Sequence, residues 1–170
     1  MPPPAQVLTF LTQGRWYACD LLWVREILRN PKITPVDKAH PAVRGLVHLR
    51  GQILTALDLD RRIGHGSAAR PPVKRCIVFK TATDLGRLAV QPPDAEAAGA
   101  DLLGIVVDEI GDIISGSAQV LPPPPETLSG LAHECIAGVL TRPEGLTTLL
   151  NIGTLLTVPS PAATPHAIQP

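Results

Sequence analysis

Hydrophobic residues in this chain fall in short runs of about four to eight residues, bounded by glycine, proline, asparagine and aspartate, and rich in Val, Ile and Leu. Runs of that length with those boundaries read as β-strands rather than helices. The pattern predicts strands over Val7–Leu11, Trp16–Cys19, Val24–Leu28, Gly45–Leu49, Gln52–Asp58 and Arg75–Lys80. It predicts five more over Arg87–Val90, Leu102–Val107, Ile110–Ile114, Ile136–Thr141 and Leu146–Asn151. Gly51 closes a tight turn between the fourth and fifth of these, and Pro143-Glu144-Gly145 closes one between the last two, so each pair reads as a β-hairpin. A short helical turn follows each hairpin, Leu59–Ile63 and Ile152–Leu156, and Glu126–Glu134 reads as a short helix. Many short strands with regular turns predict small β-barrels or a sandwich.

The two hairpins belong to a longer repeat. Val24-Arg25-Glu26-Ile27 is followed by Gly45 and, thirteen residues later, by Asp58-Leu59; Val107-Asp108-Glu109-Ile110 is followed by Gly138 and, thirteen residues later, by Asn151-Ile152. Leu57 matches Leu150 and Ile63 matches Leu156 at the same offset. A duplicated frame of this size implies two similar subdomains in one unit. The copies differ at His48-Leu49-Arg50-Gly51, a polar turn present only in the first. Function is expected where the copies differ.

Proline punctuates the rest. Residues 1–5 and 159–170 read as disordered tails. Pro92–Ala100 reads as an elongated hairpin loop, solvated and mobile, between two strands. The four prolines Pro122–Pro125 cannot sit inside a sheet ladder; they form either a stiff connector or a ligand for a proline-recognition domain.

Charge narrows the partners. Lys+Arg and Asp+Glu are equal at 15 each, which argues against a general nucleic-acid or anionic-membrane binder. Only five residues are aromatic, so the core is built from aliphatics. The three cysteines, Cys19, Cys76 and Cys135, lie far apart without a C-x-x-C and read as buried thiols in a reducing compartment. No secretory leader or spanning segment is recognisable, so a cytoplasmic protein is expected. Catalytic signatures are missing: there is no G-x-S-x-G, H-E-x-x-H or P-loop, and the five histidines show no ligand spacing. Asp58 and Asp60 lack further converging oxygens for magnesium, and Asp58 reads instead as a helix cap. The expectation is a non-enzyme with no metal and no cofactor.

The ordered set Val24-Arg25-Glu26-Ile27, Pro41, Gly45, His48-Leu49-Arg50-Gly51 and Asp58-Leu59 resembles the first half of the CheW family of bacterial chemotaxis coupling proteins. Gly104-Ile105-Val106-Val107-Asp108, Ile113, Gly138, Asn151-Ile152 and Leu155-Leu156 resemble its second half, so the likeness runs over about residues 6–158. It implies a mainly β fold of two Src-homology-3-like five-stranded barrels with exchanged strands. The first barrel would span about 20–106; the second would take 6–19 plus 107–158. It also implies a non-catalytic adaptor between the cytoplasmic tips of chemoreceptors and a CheA-type histidine kinase, recruited to membrane-associated arrays. This sequence departs from the family pattern in His48, where asparagine is usual, in Val36-Asp37-Lys38, in Pro92–Ala100 and in Pro122–Pro125. Those departures bear on partner identity. A diverged coupling protein that docks receptor without kinase, or a ligand-binding or enzymatic β-barrel, stands as the alternative.

The resemblance implies particular residues. Val24, Glu26, Ile27, Gly45, His48 and Arg50 would form the receptor surface, with Glu26 and Arg50 as an ion pair holding the turn against the V-x-E-I strand. From the residues alone, Glu26 and Arg50 read as two solvated charges, Val24 and Ile27 as core, and Gly45 as a backbone requirement; the resemblance reverses the reading of the charges. Pro122, Pro125 and Thr127 would contact the kinase. Trp16 and Trp23 read as core, with Trp23 alternatively an interface anchor.

Overall fold

The computed structural model describes residues 4–64, 70–115, 120–122 and 131–157. Among the described residues, eleven strands and four short helices follow one another. They are β1 (Gln6–Thr12), β2 (Arg15–Asp20), β3 (Val24–Arg29), β4 (Val43–Leu49), β5 (Gln52–Asp58), α1 (Leu59–Arg62), β6 (Arg75–Phe79) and α2 (Ala82–Gly86). There follow β7 (Leu102–Val107), β8 (Glu109–Ser115), β9 (Val120–Leu121), α3 (Leu131–Glu134), β10 (Ile136–Arg142), β11 (Gly145–Leu150) and α4 (Ile152–Leu155). Single 3₁₀ turns at Leu21–Trp23 and Ala95–Ala97 complete the set. None of the described helices is long and apolar enough to cross a membrane.

The strands form two mixed sheets. One has the order β3-β6-β7-β5-β4 and the other the order β8-β1-β2-β11-β10-β9. Set side by side, the orders coincide element for element: β3 with β8, β6 with β1, β7 with β2, β5 with β11, β4 with β10. Each sheet holds one parallel pair, β5 with β7 and β11 with β2. The ladder shifts register at the same place in both, between Val43 and Gly45 and between Ile136 and Gly138. The equivalent of β9 in the first sheet is reduced to one bridge, Thr34 to Leu46. The duplicated frame is therefore a duplicated sheet with permuted connectivity. The first sheet is contiguous in sequence, whereas the second takes its central strands β1 and β2 from the start of the chain.

The repeated glycines serve close approach. A Cβ at Gly45 would stand 2.5 Å from the Thr34 carbonyl oxygen, and one at Gly138 would stand 2.8 Å from that of Leu121. Gly45 also holds φ at +154°. Any other residue there would push the Thr34 bridge off the sheet.

Three apolar clusters make the core. One lies inside the first sheet around Leu54, Val78 and Val106, and a smaller one inside the second around Val7, Ala18 and Leu140. The largest lies between the sheets and draws Phe10 and Tyr17 from one and Leu57, Ile77, Phe79 and Ile105 from the other. Trp23, on the 3₁₀ turn that carries the chain from β2 to β3, is buried in it, so Trp23 is core and not an interface anchor. Its indole Nε1 donates to the Pro93 carbonyl at 3.2 Å. The three cysteines are buried and free. Burial pushes the Cys76 thiol up to about 12, as expected of packing thiols rather than reactive ones.

Some expected elements are replaced. Arg87–Val90 forms no strand; the chain instead makes helix α2 just before it. A capping box explains this: Thr81 Oγ1 accepts from the Asp84 amide, and the Asp84 carboxylate accepts from the Thr81 amide. Pro92–Ala100 is no solvated hairpin loop. It crosses from α2 to β7 as a strap, with Pro92 buried and the 3₁₀ turn Ala95–Ala97 packed on α4. Gly153 on α4 permits this, since a Cβ there would stand 2.5 Å from Cβ of Asp94. The second sheet has six strands rather than five, because Val120–Leu121 pairs with β10. Of the expected helix Glu126–Glu134, Leu131–Glu134 is helical and residues 126–130 lie outside the described residues.

The two repeated helical turns clasp each other through one side chain. Arg62 is buried, donating Nε to the Leu155 carbonyl at 2.9 Å and Nη2 to that of Thr154 at 2.8 Å. Those carbonyls close α4, where a cation is favoured; the Thr154 oxygen also accepts from the amide and hydroxyl of Thr157.

Candidate functional site

The His48-Leu49-Arg50-Gly51 turn closes the β4–β5 hairpin, where the matching β10–β11 hairpin carries Pro143-Glu144 instead. Leu49 pairs with Gln52, leaving Arg50-Gly51 as a two-residue turn with φ of +48° and +83°. Two consecutive left-handed residues match the twist of the strands. An arginine in the first of these places is unusual, and it lifts the side chain clear of the sheet. One pair below, Val47 and Leu54 face the core, while His48 and Ile53 sit opposite each other on the exposed side.

Arg50 does not stand alone although its side chain is 69% exposed. Its Nη2 donates to Oε1 of Glu26 on β3. β3 is one edge of the five-stranded sheet and β4 is the other. A flat sheet would hold these edges four strand spacings apart; the sheet therefore curls until the turn meets β3. Arg25 extends the pair, its Nε 3.9 Å from Glu26 Oε2 and its Nη1 3.6 Å from Asp84 Oδ2. Charges of alternating sign thus run from helix α2 to the hairpin tip. Burial works against ionisation of Asp84, but hydrogen bonds from Thr81 and the charges of Arg25 and Arg87 hold its carboxyl below the usual range.

Around this line of charge the other expected residues divide. Ile27 is 40% exposed and Ile53 55% exposed. Val24 is half-buried and packs against the core cluster between the sheets. Gly45 is buried beneath Ile33 and Thr34 and presents no surface. Pro122 is exposed just after β9, while Pro125 and Thr127 lie outside the described residues. Sequence reasoning missed Arg25, Asp84 and Ile53. Arg25 and Ile53 were legible as an outward-facing position on their strands. Asp84 was not, because α2 was read as part of an inter-strand connection.

A second polar cluster lies where the sheets meet. Asp58 caps nothing: its carboxylate stands 3.8 Å from Arg44 Nη1 and 4.0 Å from Arg70 Nε, and it makes no cap hydrogen bond to α1. Its counterpart Asn151 does cap, accepting from the Thr154 amide at 3.3 Å. The helix-cap reading was therefore wrong for Asp58, whose charge is drawn aside by two arginines. A cavity of about 20 Å³ beside it is bordered by Thr12, Arg44, Asp58, Val73 and Asp108. Such a volume admits a water and little more. Among the described residues, no group of three or more His, Cys, Asp or Glu side chains is arranged to hold a metal.

Comparison with known proteins gives this geometry a family. The family model described as "CheW-like domain" matches residues 6–160. The protein named "Chemotaxis protein CheW" from Klebsiella aerogenes is 26% identical over 151 residues, covering 89% of this chain and 81% of that protein. The one from Treponema pallidum is 24% identical over 147 residues, covering 86% and 79%, and the one from Rhizobium meliloti is 25% identical over 135 residues, covering 79% and 76%. The crystal structure of the scaffolding protein TtCheW from Thermoanaerobacter tengcongensis superposes with a TM-score of 0.66 at 22% identity, covering 93% of this chain and 94% of that one. With the family pattern matched across both sheets and the same fold found in a solved scaffolding protein, this chain belongs to the CheW-like domain family.

Proposed function

We propose that this CheW-like protein is a non-catalytic adaptor that couples the cytoplasmic tip of a chemoreceptor to a CheA-type histidine kinase. The observation that carries the reading is the arginine-bearing hairpin tip of the first copy. Arg50 is lifted on a left-handed turn, held by Glu26, and flanked by the exposed Ile27, His48 and Ile53. A guanidinium whose position is set by a carboxylate, with apolar side chains beside it, suits a helical partner that offers polar and apolar positions in turn. Val24 and Gly45 support that surface from below. The kinase-facing side is assigned to Pro122, Pro125 and Thr127, within the second copy of the sequence. Individual contacts of this size are weak, and a repeated receptor–kinase lattice supplies avidity.

Co-sedimentation tests this. Purified protein is mixed with receptor-bearing membranes and kinase, using wild type and Arg50→Ala. The adaptor reading expects wild type to carry kinase to the membranes and the variant to leave it in solution. Wild type that pellets with receptor yet brings no kinase supports the diverged, receptor-only protein. If it binds neither, the coupling function is wrong for this chain.

A further inference from the structure

Asp60 has no place in the adaptor surface, yet it is a buried acid. It lies on α1 and is only 4% exposed, and its Oδ1 has no hydrogen-bond partner. A buried carboxylate without donors is costly, and such groups retain a proton instead. The groups facing it come from both halves of the fold. Asp58 ends β5, on its own side. Across the seam stand Arg15 and Tyr17 of β2, and Asp108, the residue that carries the chain from β7 to β8.

Neighbouring cations are largely committed elsewhere. Arg44 and Arg70 stand against Asp58, Arg62 is spent on the α4 carbonyls, and Arg61 has an interaction of its own. Arg15 is shared with the buried Tyr17 hydroxyl. The Asp108 carboxylate is already fixed, accepting from the Gln13 amide at 2.8 Å, while the Asp108 amide donates to the Leu11 carbonyl at 2.9 Å. Burial first, then the charge of Asp58, with Asp108 adding and Arg15 opposing, push the Asp60 carboxyl up to about 6. Thr12, 5% exposed with an unpartnered hydroxyl, lines the small cavity with Asp58 and Asp108, which gives solvent a way to the edge of the cluster.

We propose that Asp60 makes the seam between the two sheets a proton-operated joint. In its acid form the Asp60 carboxyl is a neutral donor among acceptors, and the seam closes on it. Loss of the proton to solvent sets a buried negative charge on Asp60 beside the carboxylates of Asp58 and Asp108, with Arg15 opposing it, and the joint loosens. Because the proton is held more tightly in the folded state than in the unfolded chain, this site's stabilisation is fully present below about pH 4. It is lost as pH rises through about 6.

The test follows the full-length protein. Carboxyl carbon chemical shifts are recorded against pH. Thermal unfolding and amide exchange, corrected for intrinsic rates, are measured from about pH 5 to pH 8 in wild type and Asp60→Asn. The expected result is an Asp60 midpoint about two units above an ordinary aspartate, with a wild-type Tm that falls from pH 5 to pH 7. Exchange in Leu59–Arg62 and Arg15–Tyr17 should quicken over the same interval. The Asn variant, a permanent mimic of the acid form, should lack both responses. A midpoint near 4, or identical pH profiles in the two proteins, overturns the proposal. Should the variant fail to fold, the wild-type titration and exchange decide alone: a normal midpoint or pH-independent seam protection overturns it.

Discussion

Arg50 shows how much of a surface can rest on one side chain. It occupies a left-handed turn position that costs an ordinary residue about 1 kcal/mol or more, and its reward is a bond to an edge strand rather than burial. Because the pair is largely exposed, Arg50→Ala should change unfolding free energy by only about 0–1 kcal/mol. Glu26→Lys should be equally mild in folding while setting like charges side by side at the tip. Urea titrations of both variants, run beside the co-sedimentation assay, separate the cases. Loss of recruitment at unchanged stability marks a binding surface, whereas a large drop in midpoint marks a structural pair. Gly45→Ala belongs to the opposite class. A Cβ 2.5 Å from the Thr34 carbonyl cannot be accommodated without moving the chain, so a loss of about 1–3 kcal/mol is expected. A denaturation midpoint equal to wild type would show that the bridge at Thr34 is dispensable.

Between the elements, a few contacts decide the arrangement. The strap from α2 to β7 lies on α4 because Gly153 leaves room for Asp94 and Ala97. A Gly153→Val protein should release the strap and expose the Trp23 indole that Pro93 holds, seen as a red-shifted, more quenchable tryptophan fluorescence. An unchanged spectrum would place the strap's anchor elsewhere. Arg62→Met keeps the apolar bulk but takes from the Leu155 carbonyl its arginine donor, while Thr154 keeps those from Thr157, which should cost about 1–3 kcal/mol in unfolding free energy. The alternation of apolar and polar positions was enough to place both hairpins and most of their partners, since one buried face leaves a readable period. It could not show that β5 pairs with β7, or β11 with β2, because parallel partners share no turn and meet only through packing. Helix α2 was legible in principle: Thr81-Ala82-Thr83-Asp84 is a capping box, but it stands in an apolar-poor stretch where strand and helix periods look alike. The strap was missed for a different reason. Alanine and proline suggest a solvated loop, and only the vacancy above Gly153 gives it a resting place. At the candidate site, Glu26 and Arg50 were named from the family pattern, while the link through Arg25 to Asp84 required the position of α2.

At the level of the whole molecule, the two sheets are one body, for their largest apolar cluster lies between them and neither can keep it dry alone. The second sheet also depends on β1 and β2, which lie at its centre and come from the other end of the chain. A protein lacking residues 1–20 should therefore lose both sheets together, not one. Circular dichroism and a single cooperative calorimetric transition in the intact chain would check this. Persistence of a folded first sheet in the truncated protein would show that its internal cluster around Leu54 and Val78 suffices.

The permuted connectivity also sets an order of events during synthesis. β1 and β2 leave the ribosome before any of their outer partners exist, with Phe10 and Tyr17 exposed and only each other's edge to pair with. The first sheet, contiguous from β3 to β7, can close next to this waiting hairpin and cover those rings. The second sheet is completed only when β8, β10 and β11 arrive and flank a pair of strands made more than eighty residues earlier. Folding of this protein is thus timed by its last third, and a pause in translation after β7 would hold it with a finished half and an unclaimed β-hairpin.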